Sequence, residues 1–529
     1  MYSESLLVHF QRAEDLRREA VTLPSLNLKT RQVCDLELLL NRGFYPLSGF
    51  LGRADYESVL DTMRLASDAL WPMPICLDVS PDLGAKLQPG NRLALRDQEG
   101  FLLAVLTVSD VWQPDLAREA LAVYGTDDPA AHPSVRYLLS QPGKHYLGGS
   151  LEGLSLPLHF DFQDLRLTPS DLHRRFSQNG WRAVIGFQSE QHLHCAHKEM
   201  ILRAAREAGA SILLHPAIGV QYHGDLDQYT LVRSYQAFVR QFPRTMISLG
   251  LLPLYQRKAG PREALLQAMV RRNYGCTHYL VAQDQADPGA ESGDLFYPQG
   301  AAQELVRAHE QETGIAMIPL REMVYVEEKG EYLPADEVRE GMNVRTISSL
   351  ELRRRLEHGV DIPTWFSFPD VVEELRRAHP PRSKQGFTIF LTGLSGAGKS
   401  TVAKVLLARF LEMRDRPVTL LDGDIVRRNL SSELSFSKEH RELNVRRIGF
   451  VASEITKNGG IAICAPIAPY PEARDHNRQL ISQHGGFVEV YMNTPLAVCE
   501  QRDRKGLYAK ARAGIVKGVT GIDDPYIPP

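Results

Sequence analysis

Residues 387–413 read FTIFLTGLSGAGKSTVAKVLLARFLEM, and this stretch decides the fold of the C-terminal part of the chain. An apolar run predicts a buried strand, residues 393–400 match the pattern GxxxxGK[ST], and an apolar-periodic stretch predicts a helix directly afterwards. Glycines at these positions let backbone N–H groups turn toward phosphate oxygens at a helix N-terminus. The stretch therefore predicts a phosphate-binding loop in a parallel α/β fold, with these ATP-binding residues: Gly393, Leu394, Ser395, Gly396, Ala397, Gly398, Lys399, Ser400 and Thr401.

Two residues of this loop carry the expected chemistry. Lys399 is placed to reach the outer phosphates of a nucleotide, and the Ser400 hydroxyl can ligate Mg²⁺. A glycine turn without function is the alternative, but the strand before the loop and the helix after it give the context that a phosphate site requires.

A second polar segment follows the next predicted strand, PVTLLDGD at 417–424. Asp422 and Asp424 stand at i and i+2, so both carboxylates leave the strand end on the same side, where one can orient an acceptor hydroxyl or a metal-bound water. Arg427 follows within one helical turn, and residues 436–447 supply an aromatic ring and several guanidinium groups. Such groups suit stacking on a base and pairing with phosphate or sulfate. A solvated turn remains the alternative for the two aspartates.

Length and composition bound the class of protein. A chain of 529 residues exceeds the ~250 residues of a single core, so we expect three or four domains. The chain is 43% hydrophobic and 24% charged with a net charge of −3, which favours a globular protein without a nucleic-acid coat. The six cysteines form no CxxC pair, and no window reaches the ~18 apolar residues of a membrane span. We therefore expect a cytoplasmic protein that binds neither nucleic acid nor membrane.

The hydrophobic patterns divide the chain into segments. Residues 1–158 contain short alternating runs broken by Gly and Pro, which predict a mostly β domain. Residues 159–325 alternate apolar runs with helical patterns, which predicts βα units around a parallel, Rossmann-like sheet. A small mixed segment at 326–378 and a Pro-containing linker at 379–386 precede a second alternating region at 387–529. The predicted fold class is α/β multidomain.

Four segments of the last region resemble adenylylsulfate (APS) kinase, the family that phosphorylates the 3′-hydroxyl of APS to give PAPS. They are LDGDIVRRNL, FSKEHRELNVRRIG, KGLYAKARAG and TGIDDPY, and the resemblance covers 387–529. It implies ATP, APS, ADP and PAPS as substrates and products, Mg²⁺ bound with ATP at Ser400, and Lys399 and Asp424 as catalytic residues, with Asp424 orienting the hydroxyl. Residues 505–517 would form a lid over the nucleotides. The APS-binding residues implied are Arg427, Phe436, Arg441, Asn444 and Lys505.

Two positions depart from the APS kinase pattern. Ala468 stands where the family usually has a serine discussed as a phosphate acceptor, so a phosphoserine intermediate at this position is excluded and direct transfer remains. Val519 stands where the family usually has a phenylalanine that sandwiches the adenine together with the ring matching Phe436. We expect one face of that sandwich to be weaker.

The N-terminal two thirds resemble ATP sulfurylase, which makes APS and pyrophosphate from sulfate and ATP. The resemblance covers about 20–375, so the whole chain resembles a sulfurylase joined to an APS kinase. The segments that carry it are DLEL, GFYPLSGF, WPMP, VYGT, PREA and NYGCTH.

The stretch at 186–200, GFQSEQHLHCAHKEM, aligns with the sulfurylase signature QTRNPxHxxH. His194 and His197 survive at i, i+3 on one helix face, where in the family they meet ATP phosphates. The sulfate-facing arginine is replaced by Glu190, and the arginine of a second family signature, GRDHAG, is replaced by Gln283. Since sulfate capture needs cationic donors, these changes predict a vestigial site without sulfurylase activity, formed by Gln188, Glu190, His194, His197 and Gln283.

The histidine stretch and the whole chain each allow other interpretations. The HLHCAH run resembles the HxHxDH pattern of zinc hydrolases, although Ala196 replaces the acidic ligand, and the histidines could also be packing or surface residues. For the whole chain we expect an APS kinase carried on a sulfurylase-like scaffold. The alternatives are an active bifunctional sulfurylase and kinase, and a non-catalytic nucleotide-binding oligomerisation protein. Both families usually self-associate, so we expect a homo-oligomer.

Overall fold

The computed structural model describes residues 5–140, 145–189, 192–219, 227–289, 295–413, 415–435, 437–503 and 506–529, without the Asp424 side chain. The chain divides into two compact units. Unit 1 comprises Met1–Glu351 and Ile362–Ala378, and unit 2 comprises Leu352–Asp361 and His379–Pro529.

The first part of unit 1 is built on a six-stranded sheet in the order β1-β4-β5-β6-β2, with β3 also paired to β6. All pairs are antiparallel except β1 with β4. Its strands are β1 (Ser25–Asn27), β2 (Gly49–Phe50), β3 (Leu77–Val79), β4 (Arg92–Arg96), β5 (Leu102–Trp112) and β6 (His145–Gly153). Its helices are α1 (Phe10–Glu19), α2 (Thr30–Leu40), α3 (Arg53–Thr62), α4 (Pro81–Gly84), α5 (Leu116–Tyr124) and α6 (Pro133–Ser140).

These helices are more numerous than the sequence predicted for a β domain. α2 carries a run of buried residues from Cys34 to Leu40, so its apolar pattern is nearly continuous rather than periodic. Such a run does not distinguish a buried strand from a buried helix, and here it forms a helix in the core beside Phe44 and Trp71.

The second part of unit 1 is a five-stranded parallel sheet in the order β11-β10-β7-β8-β9, as the alternating pattern predicted. Its strands are β7 (Val184–Phe187), β8 (Ser211–Leu214), β9 (Ile247–Leu249), β10 (His278–Val281) and β11 (Ala316–Pro319). Its helices are α7 (Pro169–Gln178), α8 (Cys195–Ala208), α9 (Gln228–Val239), α10 (Gly260–Asn273), α11 (Ala301–Ala308) and α12 (Glu310–Thr313).

The strand order of this sheet reverses between β7 and β10. From β7 the chain first builds outward through β8 and β9, then returns to the other side of β7 with β10 and β11. In open parallel sheets, ligands bind at the carboxyl ends of the strands at such a switch point. The residues that follow β7 and β10 are therefore the candidates for a binding crevice.

A small antiparallel sheet follows, in the order β13-β12-β14. Its strands are β12 (Met323–Val326), β13 (Glu331–Pro334) and β14 (Val344–Arg345). The helices that follow are α13 (Ser349–His358) and α14 (Pro369–Ala378).

Unit 2 is built on a four-stranded parallel sheet in the order β16-β17-β15-β18. Its four strands include the two predicted from the runs FTIFLT and PVTLLDGD. The four strands are β15 (Phe387–Thr392), β16 (Val418–Asp422), β17 (Ile461–Ala465) and β18 (Gly486–Tyr491). The helices are α15 (Lys399–Met413), α16 (Gly423–Leu430), α17 (Lys438–Lys457), α18 (Pro471–Ser482), α19 (Leu496–Arg502) and α20 (Leu507–Arg512).

The two inner strands of this sheet are the most buried. Every residue of β17 is buried, and in β15 Phe390 and Leu391 are fully enclosed. α15 and α17 cover the sheet and shield it from water. Within the described residues, no helix is both long and apolar enough to cross a membrane.

Candidate active sites

The loop between β15 and α15 has the geometry of a phosphate cradle. Gly393, Gly396 and Gly398 have φ values of 143°, 76° and 106°, which only glycine adopts without strain. A Cβ on Gly393 would also lie 2.9 Å from the Met492 carbonyl oxygen. The loop therefore needs glycine both for its turn and for its close approach to the segment after β18.

Lys399 begins α15 and is largely buried. Its Nζ donates to the carbonyl oxygens of Gly393 and Leu394, each at 2.8 Å. These two backbone carbonyls hold the ammonium beside the loop, where it can also donate to phosphate oxygens.

Three side chains hold the outer carbonyls of the same loop. Thr494 Oγ1 donates to Ala397 O at 3.0 Å, and Tyr508 OH donates to Ser395 O at 2.8 Å. Arg502 Nη1 donates to Gly396 O at 3.3 Å. With the carbonyl groups held from outside, the loop N–H groups can face the cavity where an anion binds.

Ser400 and Asp422 form an oxygen pair at the head of the loop. Ser400 Oγ donates to Asp422 Oδ2 at 2.8 Å, which brings a hydroxyl and a carboxylate oxygen together beside the cradle. Mg²⁺ prefers such oxygen ligands and keeps several waters and substrate phosphates in its shell. The two residues thus fit a magnesium ion that arrives with ATP.

A cavity of about 970 Å³ opens from the loop across the carboxyl ends of the strands. It brings together the predicted donor side, from Lys399 to Thr401, and the predicted acceptor residues Arg427, Arg441 and Asn444. Asn444 is 7% exposed and its Oδ1 accepts no hydrogen bond within the described structure. The cavity is large enough for two nucleotides to meet.

Arg441 is held by a polar network that the sequence did not predict. Its Nη2 pairs with Asp524 at 2.5 Å, and its Nη1 donates to Thr520 Oγ1 at 2.8 Å. Tyr470 OH donates to the same Asp524 carboxylate at 2.6 Å. The guanidinium is thereby oriented before any ligand binds.

The C-terminal segment that supplies this network is itself anchored. Ile527 N donates to Pro469 O at 3.0 Å, and Arg474 Nη2 donates to Ile527 O at 2.9 Å. Tyr526 OH lies 2.8 Å from Thr392 Oγ1, at the end of β15. Residues 518–527 are therefore fixed to the sheet and hold Arg441, which lines the cavity.

Several predicted residues cannot be placed. Phe436 and Lys505 lie outside the described residues, as does the Asp424 side chain, although the Asp424 backbone belongs to the first turn of α16. Arg427 is described, and its Nη1 donates to Leu434 O and Ser435 O at 3.0 and 3.1 Å.

The two departures from the APS kinase pattern have distinct surroundings. Ala468 lines the cavity with a φ of 46°, and its carbonyl accepts from Arg474 Nη1 at 2.8 Å. Val519 is 5% exposed and packs in an apolar cluster with Ala397, Cys499 and Tyr508. A ring at 519 would have to enter this cluster.

In unit 1, the residues of the first predicted signature lie at the switch point. Gln188 directly follows β7, and His194 is the residue before α8. The His194 backbone N–H donates to His197 Nδ1 at 3.3 Å, and the two ring centroids are 4.1 Å apart. The helix N-terminus and both imidazoles therefore share one place in the fold, where an anion is favoured.

Burial keeps these histidines neutral. Desolvation, followed by the neighbouring His192, lowers the pKa of His194 to about 4. Desolvation and then His194 hold the pKa of His197 well below its usual value. The imidazoles can thus hydrogen-bond a phosphate but do not contribute positive charge at neutral pH. Within the described residues, no group of three or more His, Cys, Asp or Glu side chains is arranged to hold a metal ion.

A buried network behind Gln188 was not predicted from the sequence. Arg271 Nη2 donates to Gln188 Oε1 at 2.5 Å, and Gln188 Nε2 donates to Gln267 Oε1 at 3.2 Å. The same Gln267 oxygen accepts from Tyr279 OH at 2.8 Å and from Gln285 Nε2 at 2.9 Å. Gln267 and Arg271 stand at i, i+4 on α10, and that spacing is the only sequence signal that could have pointed to them.

The second signature follows β10, the neighbour of β7. Gln283 is exposed and its Oε1 accepts from Gln299 Nε2. Gln285 points inward to Gln267 instead. No described contact joins Gln283 to Gln188 or to the histidines, so the structure does not bring all the predicted residues together. Glu190 lies outside the described residues.

These sites define the class of protein. A phosphate-binding loop beside a large cavity characterises unit 2 as a nucleotide-dependent phosphotransferase fold, and unit 1 carries a parallel sheet with a nucleotide-type switch point. Family models agree with this division. They match a PUA-like domain at 4–156, ATP-sulfurylase at 163–378 and adenylylsulphate kinase at 385–529.

Known proteins resemble nearly the whole chain. The sulfate adenylyltransferase of Mycosarcoma maydis is 47% identical over 98% of this chain and 91% of its own length. That of Yarrowia lipolytica is 46% identical over 97% and 90%. A solved structure, the hexameric APS kinase from Thiobacillus denitrificans, is 41% identical with a TM-score of 0.78 and covers 97% of both chains. The chain belongs to the sulfate adenylyltransferase family, and the predicted fusion of a sulfurylase with an APS kinase is confirmed.

The prediction that the sulfurylase region is an inactive scaffold is wrong. Relatives that match nearly the whole chain are named sulfate adenylyltransferase, and the ATP-sulfurylase model matches the entire α/β region. The prediction rested on the replacement of two signature arginines by Glu190 and Gln283. The structure shows Gln283 exposed, and it retains a buried cation, Arg271, directly behind Gln188. Loss of a guanidinium at 283 therefore does not leave the switch point without positive charge.

Proposed function

We propose that the protein is bifunctional: it forms APS and pyrophosphate from sulfate and ATP, and it phosphorylates APS to PAPS. The observation that carries the proposal is the identity of 47% over 98% of the chain with an enzyme named for the first reaction, in a chain that also has a complete kinase loop and cavity. The alternative of a non-catalytic nucleotide-binding protein would require the loss of Asp424 or Lys399, and both residues are present.

For the first reaction, the proposed site is the crevice between the carboxyl ends of β7 and β10. His194, His197 and the N-terminus of α8 bind the nucleotide phosphates through hydrogen bonds, and the buried charge of Arg271 favours the anionic substrates. A sulfate oxygen attacks the α-phosphorus of ATP, and pyrophosphate leaves. Positioning of two anions side by side is the main task of this site.

For the second reaction, ATP lies on the phosphate-binding loop with Lys399 on its outer phosphates. Ser400 and Asp422 would hold Mg²⁺ together with ATP, and the ion would supply positive charge to the phosphates. Arg427, Arg441 and Asn444 bind APS, and Asp424 orients its 3′-hydroxyl for direct attack on the γ-phosphorus. Phe436 and Lys505 complete this acceptor side in the proposal.

We also propose a homo-oligomeric assembly and a division into domains for this chain. A solved relative is described as hexameric, which supports a homo-oligomer for this chain. The domain boundaries predicted from the sequence, at 158, 325, 378 and 387, remain part of the proposal, and so do the cytoplasmic location and the lid at 505–517.

Two assays of the purified protein test the proposal. Sulfate-dependent exchange of pyrophosphate into ATP reports the first reaction, and APS-dependent formation of ADP reports the second. We expect both. Asp424→Asn should lower ADP formation by at least ~100-fold while leaving exchange unchanged, because it removes only hydroxyl orientation. Absence of exchange at saturating sulfate would overturn the bifunctional assignment, and a fully active Asp424→Asn enzyme would overturn the role of that carboxylate.

A further inference from the structure

Arg271 is a buried cation whose described partners are all neutral. Its side chain is fully buried, yet within the described part of the chain no carboxylate forms an ion pair with it. Its donors instead reach three neutral oxygens, those of Gln267 O (3.1 Å), Gln188 Oε1 (2.5 Å) and His215 O (3.1 Å), and its Nε has no hydrogen-bond partner among the described residues. By contrast, the buried Arg257 pairs with both oxygens of Asp35 at 2.7 Å.

A buried charge without a counterion is destabilising, so its presence needs a reason. The guanidinium also lies 4.6 Å from the Tyr279 ring centroid, a contact that offsets only part of the cost. The charge of Arg271 acts on the neighbouring His215. Desolvation is the main cause that holds the pKa of His215 well below its usual value, and Arg271 is the second cause. Arg271 lies behind Gln188, the first residue after β7. In open parallel sheets, ligands bind at this place.

Arg271 also determines how Gln188 points. Arginine can only donate, so Gln188 must turn Oε1 toward it and Nε2 toward Gln267. Gln267 then accepts donors from β10 and from the loop after it, through Tyr279 and Gln285. One pair of side chains on α10 thereby connects the segments that follow β7 and β10.

We propose that Arg271 and Gln267 are positioning residues of the sulfate-activating site: Arg271 supplies permanent positive charge beneath the crevice and both residues fix Gln188 at its floor. The inference rests on the proposed sulfurylase function. The charge acts from inside the protein, where it is screened less by salt than a surface cation, and it favours sulfate and the nucleotide phosphates as bound anions.

Gln267→Glu is the sharpest test. Gln267 accepts three hydrogen bonds at Oε1 and has an unpartnered Nε2, so a glutamate of the same shape keeps every bond and loses none. It also places a negative charge one helical turn before Arg271, which neutralises the buried cation. We expect unchanged or higher thermal stability, with at least a tenfold rise in the KM for sulfate in the exchange assay. An unchanged KM would overturn the electrostatic role.

A second set of variants separates charge from structure. Arg271→Lys should retain part of the sulfate affinity and Arg271→Met should lose it, whereas Arg272→Met, an exposed neighbour on the same helix, should change neither. If Arg271→Met and Arg271→Lys had equal sulfate KM values, the residue would be only structural. APS-dependent ADP formation should be normal in all three, and a thermal unfolding curve of each variant shows whether unit 1 is folded.

Hydrogen exchange distinguishes failure of this inference from failure of the proposed function. Addition of ATP to the full chain should protect peptides covering 184–200 and 278–289 from exchange, and Arg271→Met should abolish that protection while protection near the phosphate-binding loop persists. Protection without pyrophosphate exchange would contradict the proposed function but support the role of Arg271. Identical protection in wild type and Arg271→Met would contradict the inference even in an active enzyme.

Discussion

The two units place their buried cations in different surroundings. Lys399 follows a loop of consecutive residues, and its ammonium group donates to two backbone carbonyls of that loop. It borders an open cavity of about 970 Å³. Arg271 lies in the last turn of α10, donates to three protein oxygens and is fully buried. The lysine therefore borders a cavity that a ligand can enter, whereas the arginine is enclosed by protein groups. In the proposed function, a point charge at an open cavity suits a phosphoryl group that is transferred, and an enclosed charge suits the positioning of two anions.

The largest expected effect separates the two regions completely. Lys399→Ala removes the ammonium from the outer phosphates, so APS-dependent ADP formation should fall by at least ~100-fold, or about 2.7 kcal/mol. Sulfate-dependent exchange should not change. Arg409→Ala, an exposed residue on the same helix, is the matched control. Parallel loss of both activities would mean that the two sites are not independent.

Val519→Phe tests whether the acceptor side can accept a second ring. Because Val519 is packed among Ala397, Cys499 and Tyr508, the larger side chain should destabilise unit 2 by ~1–3 kcal/mol. Urea unfolding measures this, with Ile515→Phe, which is 73% exposed, as the control. Tighter APS binding at unchanged stability would instead support the adenine sandwich that the sequence suggested.

Asp422→Asn tests the oxygen pair at the head of the phosphate-binding loop. The loss of one anionic oxygen beside Ser400 should raise the Mg²⁺ concentration that gives half-maximal kinase rate by about tenfold, which corresponds to ~1.4 kcal/mol. The exposed Asp415 provides a control substitution of the same type. If the Mg²⁺ dependence of Asp422→Asn matched that of the wild type, the ion would be held elsewhere.

The smallest effect concerns the half-buried imidazole of His194 in unit 1. The pKa of His194 is about 4 in the folded protein and ~6.5 when unfolded, so the unfolded state binds more protons between these values. Stability should therefore fall as the pH drops from about 6.5 to about 4 and level off below. His194→Gln should reduce this slope in urea unfolding experiments, and the exposed His9→Gln should not. An unchanged slope would show that the pKa of His194 is not lowered in the folded protein.

The sequence predicted those parts of the molecule whose signals are local. Strands β15 and β16 of unit 2 and the phosphate-binding loop follow from apolar runs and glycine spacing, which act over a few residues. The apolar runs before α8, α9 and α10 likewise predicted β7, β8 and β9.

Contacts between distant residues could not be predicted in this way. Arg271 and Gln188 are 83 residues apart, and Arg441 and Thr520 are 79 residues apart, so nothing in the local pattern indicates that they meet. The activity of the sulfurylase region was misjudged for the same reason. Two substitutions in the signatures were visible, but the buried charge behind Gln188 depends on the tertiary fold.

The anchoring of residues 518–527 has a consequence for the proposed phosphorylation of APS. Because Asp524 and Thr520 orient Arg441, and Ile527 is fixed to Pro469, cleavage within 518–527 would release the groups that orient Arg441 while leaving the parallel sheet and its loop intact. In the proposed function, such a cleavage would impair the phosphorylation of APS without affecting unit 1, so APS would accumulate as the product.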